Sequence, residues 1–315
     1  MVLTNSSDAT ADFLSAKLEQ SGIASLRLDT DAFADEALLS ATETAAQLYV
    51  GSECFTPESF SHVWLRRPLA PAPKASVDTD EKLHLEREWA AALEGWLARI
   101  PSERWMNHPS SNGLASHKIE QLRRANRMGL EVPPSLVTQS RAAALKFYDD
   151  NEGAAVVKPI HGGYIPRQDA HTDTVIYTHG ISADEIRLFP AAHACPTLLQ
   201  RRVEKKCDVR ITVVDDDFHA VGLSAMDESG AQRLDIRRAG MAGVTYTALK
   251  LPAAVKDALQ RYLASYHLRF AAIDMVVDQA DRWIFLELNP NGQWAWLDQA
   301  GVADIASSFV NSFRR

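Results

Sequence analysis

Cysteine is scarce: among 315 residues there are three, Cys54, Cys195 and Cys207. They form neither a CxxC pair nor a metal-ligand spacing, which excludes a disulfide scaffold and a zinc module. They read as buried or incidental thiols in a reducing compartment. The ten histidines include no HExxH or HxH pattern, so zinc chemistry is not expected. Also missing are a GxSxG elbow, a Walker A loop, the HRD and DFG elements of protein kinases, and a GxGxxG fingerprint. No stretch approaches the ~18 consecutive apolar residues of a membrane helix. At the N-terminus no basic region precedes an apolar run, so no signal peptide is expected. Positive charge is in short supply too. Lys and Arg total 33 against 41 Asp and Glu, a net charge of −8, which argues against a broad basic face for nucleic acid. The expectation is a soluble, cytoplasmic protein with neither nucleic acid nor membrane as partner.

What is present is an ordinary globular balance, 46% hydrophobic and 23% charged, in a chain long enough for two or three packed lobes. The chain opens with an apolar strand at 2–4. A helix over 8–18 follows, with Ser7 or Asp8 as N-cap and Gly22 closing it, and then a strand over 23–28. This β-α-β start predicts a small parallel-sheet lobe. A strand at 63–65, a Pro/Ala loop over 68–76 and a helix over 80–99 come next. Leu85, Trp89, Leu93 and Trp96 form the core stripe of that helix. A polar loop near Pro109 marks a boundary. The helix predicted over 116–128 carries Ile119, Leu122 and Ala125 on one face, and Gly129 ends it. Strands follow at 154–158, 197–203, 208–214 and 218–224, the last two joined by an Asp215–Asp217 turn. A helix over 252–266 leads to a final hairpin, 270–277 and 282–289, turning at 278–281. Domain limits of 1–110, 111–195 and 196–315 follow.

The chemistry concentrates in that hairpin. Strict alternation along Trp283–Asn289 puts Ile284, Leu286 and Leu288 on one face, and Trp283, Phe285, Glu287 and Asn289 on the other. A carboxylate on a strand this apolar needs compensation. Asp274, amid Ile273, Met275, Val276 and Val277, repeats the anomaly. Taken singly, Asp274 or Glu287 is more often the partner of a nearby arginine. Together with Asn289 they make a hard-oxygen set suited to Mg²⁺ bridging nucleotide phosphates. Lys158 ends an apolar strand just before Pro159 and His161-Gly162-Gly163, where a point charge and a close-lying backbone suit an anion. Lys118 reads first as a solvated helix lysine. After the apolar Leu198-Leu199 come Gln200, Arg201, Arg202 and Val203, then Asp208 and Arg210 on one strand face. Asp208 suits ribose hydroxyls and Arg210 phosphate, while Arg237 adds a cation for a transferring phosphoryl group.

In this order the pieces resemble the ATP-grasp superfamily. More narrowly they resemble the microviridin-type (graspetide) ligases that mature ribosomal peptides. The likeness rests on RLDTD (27–31), VWLRRP (63–68), HKIEQLRRANRMGLEVPPSLVT (117–138), QRRVEKKCDVRITVV (200–214) and FLELNPNGQWAWLD (285–298). It implies an α/β, ATP-grasp fold with a pre-ATP-grasp parallel-sheet lobe at the N-terminus. It also implies that Lys118, Lys158, Gly162 and Gly163 bind nucleotide phosphates. Gln200, the backbone of Arg201, Arg202 and Val203, and Asp208 would hold adenosine. Arg210 and Arg237 would be catalytic at the γ-phosphate, Asp274, Glu287 and Asn289 would hold Mg²⁺, and Asn289 would also meet the nucleotide. An acidic residue often follows the hinge Gln in the family where this chain has Arg201, and DVR stands for the more frequent ELR. The cofactors expected are ATP and Mg²⁺. The partner expected is a precursor peptide with a leader segment, and a homodimer stays open. The activity implied is ATP-dependent ω-ester or ω-amide crosslinking of Asp or Glu side chains. Two alternatives remain: a ligase adding amino acids to a small molecule or protein terminus, and a non-catalytic ATP-binding regulator.

Overall fold

The computed structural model describes residues 1–71, 79–165, 174–189 and 195–315, so most of the Pro/Ala loop over 68–76 lies outside the described residues. Four parallel strands, in the order Arg27–Asp29, Val2–Thr4, Val63–Leu65 and Trp105–Met106, form the N-terminal sheet. The crossover helix Ala9–Gln20 starts where the Asp8 carboxylate accepts the Thr10 N–H, and it ends before Gly22 at φ +72°. The predicted strand over 23–28 is shorter and shifted, to Arg27–Asp29. Helix Thr79–Leu97 packs Leu93 and Trp96 into the core beside Leu3 and Trp105. Trp89 stands edge-on to Phe33, so the tryptophan stripe is structural.

The central sheet is antiparallel, in the order His179–Gly180, Ala155–Lys158, Thr197–Arg201 and Ser135–Thr138. The predicted strand 197–203 stops at Arg201 because the next residues leave the ladder. The C-terminal sheet has five antiparallel strands, in the order Thr245–Leu249, Asp217–Ser224, Lys205–Val214, Phe270–Asp278 and Trp283–Asn289. Helices Lys118–Arg127 and Ala253–Ala264 cover one face through Ala125, Leu259, Tyr262, Ile273 and Phe285.

Two expectations need correction here. The polar segment after 108 is a separate helix, Pro109–Ala115; the His108 ring caps the Ser110 N–H and Pro109 occupies the first turn, where its missing N–H costs nothing. In the next helix Ile119 is exposed, whereas Gln121 is buried with Ala125. The amide goes inside because each of its polar atoms finds a partner. Helices Ala295–Gln299 and Ile305–Phe313 return to the N-terminal lobe, stacking Trp294, Phe309 and Trp64. No described helix is long and apolar enough to cross a membrane.

Candidate active site

The expected alternation along Trp283–Asn289 fails at one residue. Met275 pairs with Phe285 and Asp274 pairs with Glu287, so Leu286 is the extra residue of a β-bulge. Trp283, Phe285 and Leu288 therefore all pack on the helix-covered core. Glu287, directly opposite Asp274, shares its face. Asn289 follows on that same side, opposite Ala272. The bulge turns two carboxylates toward each other, and alternation had assigned Glu287 to the face of Phe285.

Cations surround them. Lys118 Nζ lies 2.9 Å from Glu287 Oε2 and donates to the Pro159 carbonyl at 3.1 Å. This lysine is thus a site residue and not a solvated one. Arg210, opposite Asp274 in the ladder, has its Nη1 3.2 Å from Asp274 Oδ1. Burial acts to raise the Glu287 pKa, but Lys118, Lys158 and Arg210 together bring it below the usual carboxylate range. Burial, reinforced by Glu287 and opposed by Arg210, pushes Asp274 up to about 6. Desolvation lowers the pKa of Lys158, and Glu287 opposes it. Lys158 Nζ donates to Gln200 Oε1 at 2.7 Å, and Gln200 Nε2 donates to Ser135 Oγ at 3.0 Å. The hinge glutamine therefore aims the lysine.

Several of the other expected site residues have partners within the chain. The Arg201 and Arg202 amides donate to the carbonyls of Pro134 and Ala154, both at 2.9 Å, which holds the connector in place. Val203 is half-buried beside them. Both carboxylate oxygens of Asp208 accept from Lys205 Nζ, at 2.8 and 2.6 Å, and burial raises its pKa against that lysine. Lys205 turns inward beside the register shift between Lys205 and Cys207. Arg237 is clamped by Asp235, Nη2 to Oδ2 at 2.6 Å, while Asp235 Oδ2 also accepts the Thr178 N–H at 2.9 Å. The pKa of Arg237 is raised, first by the hydrogen bond to Asp235 and then by the charges of Asp235, Glu287 and Asp274. A Cβ at Gly163 would lie 2.5 Å from the Ile176 carbonyl oxygen, whereas Gly162 faces open space. Asn289 Oδ1 accepts the Asn291 N–H at 2.9 Å and keeps a second lone pair.

Among the described residues, no group of three or more His, Cys, Asp or Glu converges as a metal cage. Two carboxylates and an amide oxygen supply too few ligands for a closed site. They suit an octahedral ion that takes its remaining oxygens from a phosphate ligand and water, as Mg²⁺ does. The donor set fits.

Residues 1–112 match the family model described as the MvdD pre-ATP grasp domain. No curated protein sequence matches the chain. Solved structures do. Macrocyclase MdnC from Microcystis aeruginosa MRC, bound with precursor peptide MdnA, has a TM-score of 0.85 at 21% identity over 98% of this chain and 96% of its own. A Chryseobacterium gregarium RiPP-associated ATP-grasp ligase, in complex with ADP and a leader and core peptide, gives 0.83 and 23% over 99% and 95%. Macrocyclase MdnB from Microcystis aeruginosa MRC gives 0.77 and 26% over 99% and 97%. The N-terminal lobe is similar to the MvdD pre-ATP grasp domain, and the whole chain has the fold of these ATP-grasp ligases.

Proposed function

We propose that this chain is an ADP-forming ligase that crosslinks a ribosomally made precursor peptide, using ATP and Mg²⁺. The observation that carries the reading is the Asp274–Glu287 pair, aligned by the bulge, paired with Arg210 and Lys118, and within the electrostatic reach of Lys158 and Arg237, on an ATP-grasp fold. A side-chain carboxylate of Asp or Glu in the peptide attacks the γ-phosphorus of ATP, the bond to the bridging oxygen breaks, and ADP leaves. A Ser or Thr hydroxyl or a Lys amine of the same peptide then attacks the acyl carbon. Phosphate departs with the electron pair, the nucleophile's proton goes to solvent, and an ω-ester or ω-amide remains.

The protein supplies no covalent nucleophile for this. Lys118 and Lys158 offset phosphate charge, Asp208 meets the ribose once Lys205 lets it go, and Arg210 and Arg237 face the phosphoryl group in transfer. Asp274, Glu287 and Asn289 hold Mg²⁺, which when bound screens the phosphate oxygens. The Gly162-Gly163 backbone lies along the phosphates. For the lobes we place 1–110 as the pre-ATP-grasp domain and end the central lobe after Arg201 instead of at 195, because Thr197–Arg201 pairs inside the central sheet.

The partner is a precursor with a leader segment, in keeping with the peptides bound by the MdnC and Chryseobacterium structures. Incubation of the chain with ATP, Mg²⁺ and candidate peptides tests the reading. Loss of one water per crosslink, with stoichiometric ADP, supports it. A mass gain of one amino-acid residue on the acceptor points instead to amino-acid addition.

A further inference from the structure

Gln121 is 1% exposed, and both polar atoms of its side chain are engaged. Its Oε1 accepts the Leu288 N–H at 2.9 Å. Its Nε2 donates to the Leu288 carbonyl at 2.8 Å and to the Ala115 carbonyl at 2.6 Å. Leu288 is the residue between Glu287 and Asn289 on the outermost strand of the five-stranded sheet. An outer strand has one side of its ladder unpaired. At that side Gln121 offers an acceptor and a donor to one residue, as a neighbouring strand does. Before the bulge, the same edge is held by the main chain, where Phe285 N–H donates to the Glu131 carbonyl at 2.8 Å. The bulge at Leu286 thus lies between two grips.

Lys118 precedes Gln121 by three residues and shares its helix face. One helix therefore fixes the backbone beside Glu287 and also brings a cation to its carboxylate. Attachment of the helix does not depend on this amide alone. Ala125 and Leu122 pack in the core, the Gln121 carbonyl accepts the Tyr262 hydroxyl at 3.3 Å, and Arg124 donates to the Ser265 carbonyl at 2.6 Å.

The geometry points to Gln121 as a positioning residue for the metal site, an amide that stands in for a missing strand and holds Leu288 so that Glu287 and Asn289 present their oxygens together. This rests on the proposed Mg²⁺ role of that pair. The test is calorimetric titration of Mg²⁺ into the full chain with ADP, on the wild type, Gln121→Met and Gln121→Glu, beside their thermal midpoints. Methionine keeps the volume and loses all three bonds; glutamate keeps the acceptor for the Leu288 N–H and loses the donors. Expected is a Mg²⁺ half-saturation raised about tenfold or more in Gln121→Met, a smaller rise in Gln121→Glu, and metal-free ADP affinity within about twofold of wild type. Variants that melt earlier yet, while folded, bind Mg²⁺ like wild type overturn the assignment. If Gln121→Met does not fold, Gln121→Glu decides on the same readout. A wild type whose ADP binding ignores Mg²⁺ removes the metal reading itself, a failure visible before any variant is made.

Discussion

Asp274 and Glu287 face each other across the last pair of strands, and they do so because the bulge sets Leu286 aside. Two carboxylates this close, partly withdrawn from water, repel one another, and the site answers with unequal partners. Glu287 has Lys118 at 2.9 Å, while Asp274 has Arg210 at the longer 3.2 Å. One carboxylate is held ionised and the other is left close to its protonation point. A divalent cation between them removes the repulsion, which is the physical reason to expect one there.

Replacing Glu287 with Gln removes one of the proposed metal ligands and leaves Lys118 without its carboxylate. Peptide-dependent ADP formation should fall about a hundredfold or more, with the fold retained by circular dichroism. Full ADP formation in this variant would show that Glu287 is not a ligand.

The pH dependence follows from Asp274, whose pKa is pushed up to about 6. Mg²⁺-dependent ADP binding should weaken as pH falls through that value, since the ligand oxygen becomes protonated. For the free chain the sign is opposite. A raised pKa means that the native state binds the proton more tightly than the unfolded chain. The stability this gives is fully present below the ordinary carboxylate value of 3.8 and is lost as pH rises through about 6. Asp274→Asn should therefore raise the thermal midpoint of the metal-free chain at pH 8, and the gain should shrink toward pH 4. An equal gain at both pH values would contradict it.

Much of this architecture can be read from residue order. Asp8 and Gly22 bracket a helix, Asp278–Asp281 turns a hairpin, and a carboxylate stands out on each strand of that hairpin. Long-range features could not be read this way. Alternation cannot reveal a bulge, because Leu286 is as apolar as Ile284 and Leu288 and only cross-strand register sets it aside. Ile119 looked like a core residue, and nothing in the helical spacing singled out Gln121; its burial depends on Leu288 and Ala115, whose groups satisfy the amide. Nor does residue order show that Lys205 meets Asp208, a contact that accompanies irregular pairing with the neighbouring strand.

Gly292 offers a packing test of the loop after the metal strand. A Cβ there would lie 2.2 Å from the Ala272 Cβ, and Ala272 stands opposite Asn289. Gly292→Ala should cost ~1–3 kcal/mol by overpacking and displace the Asn289–Asn291 turn, raising the Mg²⁺ requirement for ADP binding. Adding Ala272→Gly should recover most of the loss in urea unfolding. A double variant no better than the single one would place the strain elsewhere.

The N-terminal lobe holds this loop through Arg66. Arg66 is fully buried, its Nε is 3.4 Å from Asp8 Oδ2, and its Nη1 donates to the Asn291 carbonyl. Burial lowers its pKa to about 10, so it remains charged at neutral pH. Asp8 is held in turn by the Thr4 hydroxyl at 2.7 Å and caps the first helix. Asp8→Ala leaves a buried guanidinium without its counter-ion and should cost about 3–5 kcal/mol. Arg66→Met alone should cost less, because the Asp8 carboxylate keeps the Thr4 hydroxyl and the Thr10 N–H as donors. The double variant should fall well short of the sum of the two singles. Arg66→Met should also weaken Mg²⁺-dependent ADP binding, since the Asn291 it holds donates its N–H to Asn289 Oδ1 at 2.9 Å. Unfolding curves and calorimetry on the three variants separate these effects. Strict additivity would mean that the two residues act apart, and unchanged Mg²⁺ dependence in Arg66→Met would mean that the lobe steadies the fold without reaching the site.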